Sequence, residues 1–142
     1  MKKKQSTLIQ VIFILTFLFY FSIPSFASQG TALKLDGYND YVDIPWAESL
    51  NTNQFSICCW VKINQSRMDY DQIIISSYLK DEKKGFLLLS TYYHKWQFCI
   101  GDGDKWNVLT SDKDVLLNQW THISATFNSR IMRIYVNGIF SG

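Results

Sequence analysis

The chain has 142 residues, of which 47% are hydrophobic and 18% charged, a composition typical of folded globular proteins and not of disordered ones. Three of its basic residues are consecutive lysines near the start, and the net charge is only +2, so the basic surface needed for nucleic-acid binding is lacking. Its two glutamates and two histidines are too few for the clustered groups of most acid–base and metallohydrolase sites.

The N-terminal segment has the features of a secretory signal peptide. Three lysines precede an apolar run at residues 11–21, and Ser25 and Ala27 provide the small side chains that a signal peptidase prefers. An uncleaved membrane anchor is the alternative, but the apolar run is shorter than the ~20 residues that a span needs. We therefore expect residues 1–27 to be removed, which leaves residues 28–142 as one secreted domain with no stable membrane insertion.

The rest of the chain shows the periodicity of strands and almost none of helices. Apolar or alternating runs recur about every eight to twelve residues, with turn residues between them. The clearest alternation is at residues 55–63, where every second side chain is apolar. Strands are predicted, in chain order, at residues 32–35, 41–44, 55–63, 73–75, 86–89, 96–100, 106–110, 121–127 and 131–136.

The dipeptide Asn137-Gly138 follows the last of these predicted strands. It favours a type I′ hairpin because both central residues of that turn need a positive φ. A return strand is predicted to begin at Ile139, and the sequence stops at Gly142, so this hairpin is expected to be incomplete. The spacing as a whole predicts an all-β protein, an antiparallel β-sandwich.

The three cysteines, Cys58, Cys59 and Cys99, leave two interpretations open. Adjacent side chains on a strand point to opposite faces, so Cys58 and Cys59 are not expected to bridge each other. In an oxidising compartment one of them would pair with Cys99. Alternatively, all three are small buried core residues. The spacing does not fit a zinc site.

Four separated motifs resemble laminin G-like domains of the concanavalin A-like lectin family. Residues 32–63 contain Asp-Gly-x-x-Asp-Tyr-Val and then Phe-x-Ile-x-x-Trp-Val, and residues 118–142 contain Gln-Trp-Thr-His and then Tyr-Val-Asn-Gly. The resemblance implies a jelly-roll β-sandwich over residues 28–142. Domains of this family continue past that hairpin, so it also implies that the last strands are missing. We expect residues 28–142 alone to aggregate or fold incompletely without a C-terminal extension.

The same resemblance implies that the chain is not an enzyme. Glucanases of this superfamily carry a Glu-x-Asp-x-x-Glu arrangement that brings two carboxylates to one face of a strand. Here Glu48 and Glu82 are isolated, and no Gly-x-Ser-x-Gly elbow is present. His122 lies where the family commonly has histidine, which implies a structural role.

Calcium is the cofactor that the sequence favours most, at the acidic turn around Gly37. Asp36 and Asp40 flank that glycine, and two carboxylates with nearby carbonyls suit a hard cation. Calcium-binding relatives in the wider fold use acidic residues of this turn, together with a late strand. The alternative is a turn hydrogen bond by Asp36 and a solvated Asp40. In a second acidic turn, Asp102 and Asp104 fit an ordinary hairpin better than a metal site.

Aromatic residues in predicted loops are the candidate ligand-binding residues. Aromatic faces stack on the apolar faces of sugar rings while nearby polar groups orient the hydroxyls. The candidates are Tyr92, Tyr93, Trp106 and Trp46, and the alternative for each is a packing role.

Two further tryptophans, Trp60 and Trp120, lie at family-typical strand positions and are expected to be core or sheet-face residues.

The predicted function is that of a secreted or cell-surface, non-catalytic recognition or adhesion module for glycans or extracellular proteins, with no nucleic-acid partner. The alternatives are an inactive fragment of a larger extracellular protein and, third, a glycoside hydrolase-related domain.

Overall fold

The computed structural model describes residues 30–45, 47–50, 52–64 and 70–142. The chain divides into two compact units, Met1–Asp36 and Gly37–Gly142, and the second contains eight strands and a short 3-10 turn at Glu48–Leu50. In chain order the strands are β1 (Gln54–Val61), β2 (Gln72–Leu79), β3 (Lys84–Ser90), β4 (Lys95–Asp102), β5 (Trp106–Asp114), β6 (Thr121–Asn128), β7 (Met132–Val136) and β8 (Ile139–Phe140). Within the described residues, no helix has the length and apolar character needed to cross a membrane.

The strands form two antiparallel four-stranded sheets. Sheet A has the strand order β1-β6-β7-β8, and sheet B has the order β2-β3-β4-β5. Sheet B is a simple meander, whereas β1 of sheet A pairs with β6, far along the chain. The all-β antiparallel sandwich predicted from the sequence is therefore confirmed.

One hydrophobic core lies between the inner faces of the two sheets. The alternating residues of each strand supply it, since successive side chains point to opposite faces. Phe55 of sheet A contacts Phe98 of sheet B edge to face, with ring centroids 6.2 Å apart. The buried core residues are Leu88, Trp96, Phe98, Ile100, Val115, Ile123, Ala125, Ile134 and Val136.

Ser141 joins the two sheets through hydrogen bonds at one side of the core. Its side chain and backbone are fully buried. The Ser141 N–H donates to the carbonyl of Ile134 on β7 (2.9 Å), and its own carbonyl accepts from the N–H of Asp112 on β5 (2.7 Å). Its Oγ also accepts from the N–H of Lys113 (3.1 Å). The end of the chain therefore satisfies backbone groups of both sheets.

Two of the predicted strands are absent, so those predictions were wrong. Residues 32–35 and 41–44 are irregular, and apolar side chains such as Leu33 (77%) and Ile44 (72%) are exposed. A run of four residues becomes a strand only when a neighbouring strand completes its hydrogen bonds. In the two described sheets, all strand pairs are formed among β1 to β8.

The hairpin predicted from Asn137-Gly138 is confirmed. Asn137 has a φ of 51° and Gly138 a φ of 77°, the two positive values that a type I′ turn needs. The turn joins β7 to β8, where Tyr135 pairs with Phe140 and Val136 with Ile139.

All three cysteines are free thiols, so of the two interpretations left open by the sequence the disulfide is wrong. Cys59 packs against the core from sheet A, whereas Cys99 lies on the outer face of sheet B, on the far side of that sheet. Cys58 is exposed, so the core interpretation is wrong for this residue. Burial, with a smaller contribution from the Asp71 carboxylate, raises the pKa of the Cys99 thiol to about 11. At neutral pH it is therefore protonated and a poor nucleophile.

Candidate functional site

Three of the four predicted ligand-binding aromatics lie on sheet B. Tyr92 and Tyr93 form the turn between β3 and β4, and Trp106 is the first residue of β5. Trp46 lies outside the described residues. The fold therefore brings residues that are 13 or 14 positions apart in the sequence onto one sheet.

A hydrogen-bonded polar group holds the tyrosine end of this surface. Gln97 and Thr110 are directly opposite each other on β4 and β5. The Gln97 side-chain amide donates to the Tyr93 hydroxyl (2.8 Å) and to Thr110 Oγ1 (3.0 Å). Tyr92 and Tyr93 pack edge to face with centroids 4.9 Å apart, and both rings are about half exposed. The turn thus presents two aromatic rings in a defined position.

A second aromatic pair lies at the other end of the same sheet. The rings of Tyr78 on β2 and Trp106 on β5 are 6.4 Å apart between centroids. Gly85 and Gly101 occupy the two positions in register between them. Because these glycines have no side chain, the two rings can approach each other across two intervening strands. A Cβ on Gly101 would clash with the backbone carbonyl of Lys83, so alanine does not fit there.

Val108 connects the two ends along β5. It lies opposite the buried Cys99 and is 54% exposed. At about 3.4 Å per residue, the four residues from Gln97 to Gly101 separate the two ends by roughly 14 Å. We call this surface the aromatic strip; its residues are Tyr78, Tyr92, Tyr93, Gln97, Trp106, Val108 and Thr110. It combines apolar rings with uncharged polar groups.

The acidic turn before Trp106 is a hairpin turn, as predicted. Oδ1 of Asp102 accepts hydrogen bonds from the backbone N–H groups of Asp104 and Lys105, each at 2.9 Å. Its Oδ2 accepts from the Asn107 side-chain amide, also at 2.9 Å. The Lys105, Asn107 and Asp104 bonds lower the pKa of Asp102 to about 2. This carboxylate therefore fixes the turn that delivers Trp106 to the aromatic strip.

The proposed calcium ligands, Asp36 and Asp40, are both exposed. Calcium takes six to eight oxygen ligands. Nowhere in the described part of the chain are three or more histidine, cysteine, aspartate or glutamate side chains grouped as a metal site would require. Calcium binding at these two residues stays a prediction.

The two glutamates lie in separate elements of the fold. Glu48 is in the 3-10 turn, and Glu82 is in the connection between β2 and β3. Glu82 forms an exposed ion pair with Lys84 (2.7 Å). They do not lie on one strand as the two carboxylates of a glucanase would.

A second group of aromatic residues was not predicted as a site. Trp60 and Trp120 lie on the outer face or margin of sheet A and are 64% and 51% exposed. Of the two roles expected from the sequence, core residue or sheet-face residue, they therefore have the second. The sequence of β1 did indicate an exposed position for Trp60, because its side chain points to the opposite face of the strand from the core-facing Ile57 and Cys59. A shallow cleft of about 590 Å³, wide open to solvent, lies here and is lined by Trp60, Trp120, His122, Asn137 and Gly138.

Comparison with known proteins gives the family. The family model described as the concanavalin A-like lectin/glucanases superfamily, of the laminin G-like type, matches residues 36–142. No curated protein and no solved structure matches the chain. Laminin G-like domains are generally non-catalytic, typically extracellular, and bind carbohydrates or proteins. Since the match covers most of the chain and the two-sheet fold agrees with it, the chain belongs to the concanavalin A-like lectin/glucanases superfamily, as a laminin G-like domain.

Proposed function

We propose that this protein is a secreted, non-catalytic recognition module that binds neutral glycans through the aromatic strip. The observation that carries the proposal is the placement of two aromatic pairs at the ends of one sheet face, with uncharged polar groups beside them. Tyr78, Tyr92 and Tyr93 are exposed, and Trp106 is partly buried. The length of the strip suits a short oligosaccharide and not a single ring. Family membership supports a carbohydrate- or protein-binding role.

The polar groups of the strip are arranged to bind hydroxyls. Gln97 uses its side-chain amide to donate to Tyr93 and Thr110. Each of these hydroxyls accepts that bond and keeps its own proton, which can be donated outward. Sugar hydroxyls accept such bonds while the C–H face of the ring covers an aromatic side chain. A bound sugar is thereby oriented as well as held.

The charge at the strip favours a neutral ligand over an acidic one. Its seven residues carry no ionised side chain, and the Asp71 carboxylate lies beside them, where it accepts a hydrogen bond from the Tyr92 N–H (3.1 Å). A negative charge at this position disfavours a carboxylated or sulfated sugar. A protein partner usually meets a surface with a fully buried apolar centre and a polar rim. Here the exposed apolar residues between the ends are Val108 on β5 and Ile73 on β2, which are separated by two strands and form no continuous apolar centre. The rings stand at the ends.

Secretion is the second part of the proposal. It is supported by the lysines, the apolar run and the small residues of positions 1–27, and by the extracellular location typical of the family. Calcium at Asp36 and Asp40 would assist recognition without making the main contacts to the glycan, because neither residue belongs to the aromatic strip.

A glycan array tests the proposal. Wild-type protein, Trp106→Ala and Tyr93→Ala would be compared, with Tyr41→Ala as the control because Tyr41 is an exposed aromatic outside the strip. We expect wild type and control to bind neutral glycans, and each strip variant to lose about tenfold in affinity, roughly 1.4 kcal/mol. Repeating the array with a chelator tests calcium. Absence of binding, or strip variants that bind like wild type, would contradict the proposal.

A further inference from the structure

The outer face of sheet A carries a second aromatic surface that the aromatic strip does not include. Its cleft of about 590 Å³ is lined by two tryptophans, a histidine and the β7–β8 turn. The outer faces of two packed sheets point in opposite directions. The cleft and the aromatic strip therefore lie on opposite sides of the sandwich.

A cross-strand pair forms one wall of the cleft. Trp60 on β1 is directly opposite His122 on β6, and the two rings are 5.3 Å apart between centroids. Directly opposed side chains on neighbouring strands support each other's positions. Trp120 immediately precedes β6 and brings a second exposed indole to the same place.

The β7–β8 turn forms the other wall and is tied to β6. The Asn137 side-chain oxygen accepts from the His122 backbone N–H (2.9 Å), and the Asn137 N–H donates to the His122 carbonyl (2.8 Å). The peptide group between the two central residues of a type I′ turn takes no part in the hairpin ladder. The turn therefore adds both a donor and an acceptor at the rim of the cleft.

We infer that this cleft is a second site for a pyranose ring of a neutral glycan. The ligand class rests on the proposed function, while the site rests on the cleft itself. Two indole faces suit the C–H face of a sugar, and the imidazole, the turn amide and the turn carbonyl suit hydroxyls that both donate and accept. No carboxylate, lysine or arginine is among the residues that line the cleft.

Two sites on opposite faces give the domain the capacity to bridge two glycan chains. When both sites bind one polymer network, the second contact is intramolecular, and the combined affinity exceeds that of either site. The inference therefore adds cross-linking to simple recognition.

Isothermal titration calorimetry with cellohexaose, chitohexaose and mannohexaose tests the inference. For the hexaose that binds, we expect two ligands per protein for wild type and one for Trp120→Ala, with Trp120→Phe keeping the second site at reduced affinity. Phe140→Ala is the matched control, since Phe140 is an exposed aromatic of the same sheet that does not line the cleft. Thermal melts of each variant exclude a folding defect.

The outcomes separate this inference from the proposed function. If Trp120→Ala loses a binding event and Trp106→Ala loses none, the cleft is a site and the aromatic strip is not. If Trp120→Ala binds with the stoichiometry and affinity of wild type, the inference is wrong whatever the strip does. It is also overturned if none of the three hexaoses binds wild type, or if a proline-rich peptide competes for Trp120 in their place.

Discussion

Phe98 is at the centre of the hydrophobic core, and its replacement by alanine tests whether the two sheets enclose that core as described. Its side chain is fully buried in the middle of β4, with Leu88 and Leu109 opposite it on the neighbouring strands. Across the core its ring meets Phe55 edge to face. It therefore contributes packing both within sheet B and between the sheets.

The expected loss follows from this environment. Truncation of a buried phenylalanine costs about 3–5 kcal/mol, of which the aromatic pair accounts for about 0.5–1.5 kcal/mol. For a domain of about a hundred residues, at about 4 °C per kcal/mol, the melting temperature should fall by about 12–20 °C. The control is Leu116→Ala, because Leu116 is exposed, and its cost should stay within about 0.5 kcal/mol.

The assay is thermal unfolding followed by far-ultraviolet circular dichroism. Equal losses for Phe98→Ala and Leu116→Ala, or a Phe98→Ala melt within about 2 °C of wild type, would refute the description of the core.

Three further predictions concern acid stability, export and calcium. The lowered pKa of Asp102 stabilises the fold above its unfolded value of 3.8, and this contribution is lost as the pH falls towards about 2. In acid titrations monitored by fluorescence, the stability of Asp102→Ala should therefore fall less steeply over that pH range than the stability of wild type or of Asp104→Ala. Identical curves for the three proteins would contradict the turn geometry. Mass spectrometry of secreted protein should find an N-terminus at Ser28, whereas intact protein in the membrane fraction would show an anchor. Calcium should raise the melting temperature of wild type and not of a protein in which Asp36 and Asp40 are asparagine; a wild type that does not respond to calcium would contradict the metal prediction.

The sequence pattern was sufficient for most of the sheet structure. Alternation at residues 55–63 and 121–127 predicted β1 and β6, and the positive φ required at Asn137-Gly138 predicted the β7–β8 turn. These signals are local, because they depend on side-chain period and turn geometry. The pattern at residues 32–44 looked equally strand-like and failed, since a strand also depends on a neighbour that the local sequence does not contain.

The candidate sites were predicted less completely than the fold. Tyr92, Tyr93 and Trp106 were found as loop aromatics, but their shared sheet face depends on strand order, which spacing does not specify. Trp60 lies on the opposite face of β1 from Ile57 and Cys59, so the alternation already indicated a position away from the core. Trp60 was missed as a site residue because its family-typical position was interpreted as a core or sheet-face role, and because the cleft also depends on the pairing of β1 with β6, which the local sequence does not contain.

The central claim is that the aromatic strip binds a neutral glycan, and amide NMR during titration with the glycan identified on the array tests it most directly. The account predicts progressive shifts of the Gln97, Val108 and Thr110 amides, with the amide of the buried Ala125 nearly unmoved because Ala125 lies on the other sheet. Shifts confined to residues 37–45, with the three strip amides unchanged, would place the ligand elsewhere and contradict the account.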